Sequence, residues 1–348
     1  MIGTKFLDGQ GLGNQLFAYV TARAIAAERG VPFGTAGRDF FANNIHSRRG
    51  MYFMELDLGE EISDEAAAEM HCFQDADERL YLGNSVHDLT RGVYISGAAP
   101  SIHQVPDNTL LMGNLQAEDY FAHCMDDLRQ WLVLRPEADD HTYTADDLCI
   151  INLRGGEYAG DPALFLGRRY YLQAMRQMRQ HRPDMRFLVI TEDEAAARRV
   201  LPELEAHHFD MGRDYAVVKN ARYLILSNSS FAVLPAMTSD TLRYAIAPKY
   251  WARHNVSDGY WASEQNIYSL FHYMDREGRL FTAEECRAEL TVYKQNSRRY
   301  ALRNIRPRGI ALGVEKCKCT SRKSLWWMGR AGWSLLRRAG LTGRQGWK

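Results

Sequence analysis

Arg154 follows an apolar run, Leu148 to Leu153, that only Asn152 interrupts, and two glycines come after it. A guanidinium in that position has phosphate chemistry open to it. It can donate two parallel hydrogen bonds to a phosphate, and Gly155-Gly156 let the backbone approach closely. The plainer alternative is an ion pair with Glu157, three residues on. A second segment of this kind is Ser227-Asn228-Ser229-Ser230-Phe231. Its hydroxyls and free N–H groups at a helix start could cradle an anion, although Ser and Asn are also ordinary N-caps.

Three other patterns suggest chemistry and lack part of what it requires. Gly9-Gln10-Gly11-Leu12-Gly13-Asn14 begins like a dinucleotide-binding turn, but Asn14 stands where G-x-G-x-x-G needs its third glycine. No acid closes a clear second strand, although Asp39 lies in the region, so an NAD-dependent oxidoreductase is an alternative with incomplete support. Asp75-Ala76-Asp77 is a D-x-D triplet of the type that can hold a divalent metal, yet no apolar strand leads into it. Cys317-Lys318-Cys319 has two candidate ligands and no nearby histidine, which does not make a zinc site. Neither H-E-x-x-H nor G-x-S-x-G occurs.

The elements that would position Arg154 and the serine loop read as alternating strands and helices. Buried strands are expected at 148–153, 187–190 and 223–226, and helices at 170–179 and 193–201. That alternation implies a doubly wound parallel sheet, whose ligands gather at the carboxyl ends of the strands. The N-terminal end reads as strand (4–7), glycine turn and helix (15–29), and the acidic stretch 136–147 as a linker. Domains are expected at 1–145 and 146–255, with a helical segment at 256–315 and a basic, tryptophan-bearing tail at 316–348. That tail suits an anionic membrane surface or a docked terminal helix.

The chain of 348 residues has 43 Lys/Arg and 43 Asp/Glu, but the balance is uneven along it. Counted directly, residues 1–145 hold 10 basic and 22 acidic residues, leaving 33 and 21 for the rest. An anionic ligand is therefore expected on the C-terminal half. There is no apolar run long enough for a transmembrane helix and no signal-peptide pattern, so the cytoplasm is the expected location. Nothing beyond the basic tail suggests nucleic acid.

Five segments in order resemble the bacterial α-1,2-fucosyltransferases of glycosyltransferase family 11. That family's G-G-L-G-N-Q resembles Gln10-Gly11-Leu12-Gly13-Asn14-Gln15, and its H-x-R-R-G-D-Y resembles Asn152-Leu153-Arg154-Gly155-Gly156-Glu157-Tyr158. Its S-D-D strand end resembles Thr191-Glu192-Asp193, its A-N-S-S-F resembles Ser227 to Phe231, and its A-P-K-x-W resembles Ala247-Pro248-Lys249-Tyr250-Trp251. Histidine, the second arginine and aspartate of the second motif are here Asn152, Gly155 and Glu157.

The resemblance implies two Rossmann-like domains facing a cleft, of GT-B type, with the nucleotide on the C-terminal one. It implies inverting transfer of a 6-deoxyhexose, fucose above all, from a GDP-sugar to a glycan hydroxyl, without metal or cofactor. Arg154 and Glu157 are then the catalytic candidates. Asn152, Arg154, Asp193, Asn228, Ser229, Ser230 and Phe231 would meet the donor, and Gly11, Gly13, Asn14 and Gln15 would face the cleft. Another nucleotide sugar, or binding of a nucleotide or glycan without catalysis, are the alternatives that the altered motif keeps open.

Overall fold

The computed structural model describes residues 1–44, 52–75, 77–81, 86–161, 164–250 and 264–321. The chain forms two compact units: residues 1–76 with 96–292, and residues 77–95 with 293–348.

In the first half, β1 (Ile2–Lys5) leads through the glycine turn into α1 (Leu12–Arg29) and β2 (Phe33–Ala36). Next come β3 (Glu60–Ile62), α2 (Asp64–Glu69) and β4 (His71–Gln74). The excursion β5 (Asp77–Leu80), α3 (Val86–Arg91) and β6 (Val93–Ser96) forms a two-stranded sheet of its own. The chain returns with β7 (Thr109–Met112) and α4 (Met125–Trp131). The resulting parallel sheet has the order β3-β2-β1-β7-β4.

The second half follows as β8 (Leu148–Asn152), α5 (Arg168–His181), β9 (Arg186–Ile190), α6 (Glu194–Val200), β10 (Ala206–His207) and α7 (Met211–Lys219). It continues with β11 (Tyr223–Ile225), α8 (Val233–Met237), β12 (Tyr244–Pro248), β13 (His272–Met274), β14 (Leu280–Phe281), α9 (Ala283–Asn296) and α10 (Arg298–Ala301). Its sheet has the order β10-β9-β8-β11-β12-β13-β14, and only β13 and β14 run antiparallel. The fold is α/β, with two Rossmann-like sheets in one compact unit.

Burial explains both halves. Every residue of β8 is buried, and its side chains alternate between two cores. Leu148 and Ile150 join the core shared with α1, while Cys149 and Ile151 join the one under α5. Helix α1 is apolar nearly all round because it is covered on two sides. It packs on β1 and β2, and also on residues 230–232 and α8 of the other half. Gly30, with φ of 63°, ends it in the left-handed conformation.

Two expectations change. The stretch 256–315 was expected to be helical, but its described part also holds β13 and β14, which extend the sheet. The turn Asp275–Gly278 reverses the chain there: Asp275 is fully buried and accepts from the N–H groups of Glu277 and Arg279. The acidic stretch 136–147 connects the sheets and is pinned to the second one. Asp140 holds Arg213 at 2.6 Å, Asp139 holds Asn220 at 2.7 Å, and Asp147 grips Arg186 at 2.6 and 2.8 Å. In the tail, residues 322–348 lie outside the described residues, as do Ala76 and Trp251.

Asp75 of the D-x-D triplet has a structural role. It is fully buried and accepts from Tyr120 Oη at 2.7 Å, from Leu115 N at 3.0 Å and from Gln265 Nε2. Among the described residues, no group of three or more His, Cys, Asp or Glu could hold a metal ion. Replacing Asp75 with Ala would remove the acceptor of three buried hydrogen bonds, at about 1–3 kcal/mol each. Urea unfolding of Asp75→Ala should therefore show a loss of about 3 kcal/mol or more. A loss within experimental error would contradict this assignment.

Candidate functional site

In each sheet the strand order reverses at one point, between β1 and β7 and between β8 and β11. Loops diverge at such points and leave a crevice at the carboxyl ends of the strands, where open α/β sheets bind ligands. Here the two switch points are linked by hydrogen bonds. Asn14, just inside α1, accepts from Gln116 Nε2 of its own sheet at 2.8 Å and from Ser230 Oγ of the other at 2.6 Å. Gln116 is aimed by Leu115, which holds the left-handed conformation at φ of 53°. Leu115 is kept there by Asp75 on its N–H, and its own carbonyl accepts from Thr21 at 2.8 Å.

Gly13 allows this contact. A Cβ at Gly13 would lie 2.5 Å from the Ser230 carbonyl carbon and 2.6 Å from the Phe231 nitrogen. The first and fourth motifs therefore meet backbone to backbone. Gly11 has open space around it. Gln15, expected in the cleft, does not face it. It is fully buried, donating to Phe40 O at 2.7 Å and accepting from Ala42 N at 2.8 Å, because the next helical position turns it into the core.

On the second sheet, Ser227 donates to Asn152 Oδ1 at 3.3 Å, so the ends of β8 and β11 are bridged at the switch point. Asn228 is buried and donates to Leu164 O at 2.8 Å, fixing the neighbouring loop. The Ser229 hydroxyl accepts from Phe231 N at 3.3 Å, capping the helical turn 230–232. Phe231 meets Tyr215 edge-on at 6.0 Å.

Arg154 follows β8 itself, two residues past Asn152. Its Nη2 donates to Glu157 at 2.5 Å, its Nη1 lies 3.0 Å from Glu192, and its guanidinium carbon lies 5.4 Å from the Tyr158 ring centre. The ion pair with Glu157 is thus formed, with Glu192 as a second partner. The glycines here are needed for a different approach: a Cβ at Gly155 would sit 2.4 Å from Asp193 Cβ. Instead Gly155 N donates to Glu192 and Gly156 N to Asp193, each at 3.1 Å. Asp193 also caps α6 through Ala196 N at 2.8 Å.

The two acids on Arg154 differ. Burial pushes the Glu192 carboxyl up, and Arg154 only partly offsets it. For Glu157 burial also pushes up, but the hydrogen bond from Arg154 prevails and holds it low. Tyr171 lies behind Glu192, its hydroxyl buried without a hydrogen-bond partner and its pKa raised by burial.

Residues the sequence did not single out include Gln116, Leu115 and Tyr171. The only local signal for the first two was Gly113-Asn114 after an apolar strand. Lys249, quoted in a motif without a role, is buried against Glu289 at 2.5 Å and over the Phe281 ring at 3.3 Å.

No family model and no curated protein matches this sequence. Among solved structures, POFUT1 in complex with GDP-fucose is similar at 10% identity over 71% of this chain and 97% of its own, with a TM-score of 0.39. NodZ α-1,6-fucosyltransferase soaked with GDP-fucose is similar at 12% identity over 68% and 92%, with a TM-score of 0.38. Fucosyltransferase NodZ from Bradyrhizobium gives 11% over 68% and 93%, also with a TM-score of 0.38. These likenesses are distant.

Two predictions follow from the geometry. Gly13→Ala should lower the melting temperature by several degrees, since even partial overpacking costs about 1–3 kcal/mol, while Gly11→Ala should leave it nearly unchanged. Equal effects would contradict the backbone contact. Because the folded pKa of Glu192 is raised, its favourable contribution is present below the ordinary carboxylate value and is lost as pH rises through the folded pKa. Melting temperatures taken from pH 4.5 upward should therefore show Glu192→Gln gaining on the wild type; the opposite trend would contradict the sign.

Proposed function

We propose that the chain is an inverting glycosyltransferase that takes a 6-deoxyhexose, fucose by preference, from a GDP-sugar to a glycan hydroxyl. The observation that carries this reading is the arrangement at the second switch point. Arg154 follows β8, the Ser227–Phe231 loop follows the neighbouring β11 and is bonded to Asn152 of β8, and Asn14 of the facing sheet accepts from Ser230, in the order the family 11 resemblance requires. No metal is needed in this reading, because a fixed guanidinium can neutralise the departing diphosphate.

The charges require an exchange. Arg154, Glu157, Glu192 and Asp193 sum to −2, which does not attract a diphosphate. Glu157, however, has 69% of its side chain exposed, and exposed ion pairs are worth about 0–1 kcal/mol. A diphosphate binding Arg154 through two charge-assisted hydrogen bonds outweighs that and displaces Glu157. Glu192, at 34% exposure, stays and orients the guanidinium.

Inversion places the proton acceptor on the sugar face opposite the leaving group. Glu157 touches the arginine that would hold that leaving group, so we assign it to holding Arg154 rather than to taking the proton. Asp8 stands on the turn after β1, at the carboxyl end of a strand of the facing sheet, and we assign the base role to it. Dinucleotide binding at residues 9–14 is disfavoured, since Ser230 and Phe231 fill the space beside Gly13 where a pyrophosphate would approach the start of α1. A nucleotide-binding protein without catalysis is the second reading, favoured by the clamp on Arg154.

A donor screen over GDP-fucose, GDP-mannose and the common UDP- and dTDP-sugars tests the assignment. Turnover is expected with a GDP-sugar, and Arg154→Ala should reduce it on the order of 10²-fold or more. Asp8→Asn should lower kcat while GDP-sugar affinity is kept. Glu157→Gln should bind the donor at least as well as the wild type. Binding without donor hydrolysis or transfer to any acceptor would favour the second reading, and near-normal turnover in Arg154→Ala would overturn the mechanism.

A further inference from the structure

Four of the large apolar side chains exposed in the described chain lie within residues 302–314: Leu302, Ile305, Ile310 and Val314. Ile310 is 89% exposed, the most of any. The helix over 309–321 puts Ile310, Val314 and Cys317 on one exposed stripe at i, i+4 and i+7. Leu312, Glu315 and Cys319 are more buried and form the inward stripe. The segment leading into this helix is held to its unit. Glu78 accepts from Tyr300 Oη and Arg303 Nε at 2.6 Å each, and Asn304 and Arg79 exchange hydrogen bonds at 2.7 and 2.8 Å.

The charge around this stripe is predominantly positive, although Glu315 pairs with Lys318 at 2.6 Å. Arg306, Arg308, Lys316 and Lys318 are exposed beside it, and Glu315 is the single acid from residue 298 to the end of the chain. Beyond residue 321 the sequence adds Arg322, Lys323, Arg330, Arg337, Arg338, Arg344 and Lys348, with Trp326, Trp327, Trp333 and Trp347 among them.

We infer that this face docks on the surface of an anionic lipid bilayer. Apolar side chains at helical spacing enter the boundary between headgroups and acyl chains, while lysines and arginines at that level meet anionic headgroups. A protein partner would need an acidic, apolar groove. A second copy of the chain would bring like charges together, which complementarity disfavours. Among the described residues no helix is long and apolar enough to cross a membrane, so the contact is peripheral. This inference does not depend on the donor assignment, because the surface belongs to a different compact unit from Arg154.

Co-sedimentation of the full chain with vesicles tests it, using phosphatidylcholine alone and an equimolar mixture with phosphatidylglycerol. Binding is expected to the mixture and not to phosphatidylcholine, and it should weaken as salt is raised. The double substitution Ile310→Glu with Val314→Glu should reduce binding about tenfold or more without lowering the melting temperature. Should that variant not fold, Lys316→Glu with Lys318→Glu is expected to give the same loss. Equal binding to both vesicle types, no binding at all, or undiminished binding by the folded variants would overturn the proposal. So would a dimer in sedimentation velocity that dissociates on the Ile310/Val314 change while vesicle binding stays as in the wild type.

Discussion

One side-chain oxygen ties the two sheets together where their loops diverge. Asn14 Oδ1 accepts from Gln116 and from Ser230, and Gly13 beside it lets the Ser230–Phe231 backbone come to contact distance. Each arrangement nearby serves this junction. Asp75 holds Leu115 in a left-handed conformation, Leu115 aims Gln116, and Tyr215 braces Phe231 from behind. The bonds are short and converge on one acceptor, so an error at any of them shifts one switch point against the other. The candidate crevice is in this sense a product of the junction rather than of either sheet alone.

Electrostatics at the second switch point is organised as a clamp. Arg154 lies between an exposed acid, which a ligand can reach and replace, and a more buried one. Such a pairing keeps a half-buried guanidinium oriented and lets a stronger, bidentate anion displace the outer partner. It also accounts for an acidic neighbourhood around a residue assigned to bind phosphate. The glycines after Arg154 fit the same picture, since their N–H groups anchor Glu192 and Asp193 and no side chain could fit at Gly155.

Much of this was legible in residue types. Strand β8 shows as an apolar run because both of its faces are buried, and α5, β9 and α6 alternate visibly around it. The Arg154–Glu157 pair could be read from its spacing. Other features were hidden because they depend on long-range partners. Glu192 meets Arg154 only because β9 pairs with β8 in a register that aligns Ile190 with Asn152. Gln15 looked like a cleft residue from its motif, yet the helical turn sends it inward to Phe40 and Ala42. Strands β3 and β4 are short and largely exposed, so periodicity gave no sign of them. Strands β13 and β14 are three and two residues long and exist through pairing with β12 and with each other.

We assign to the end of β8 the recognition of a nucleoside diphosphate through its two phosphates. Calorimetric titration of the intact chain with GDP, GMP and guanosine addresses it without an acceptor or turnover. GDP is expected to bind at least about tenfold more tightly than GMP, a difference of about 1.4 kcal/mol that one charge-assisted contact readily supplies. Guanosine is expected to bind more weakly than either. Equal affinity for GDP and GMP, or no affinity for any of the three, would contradict it.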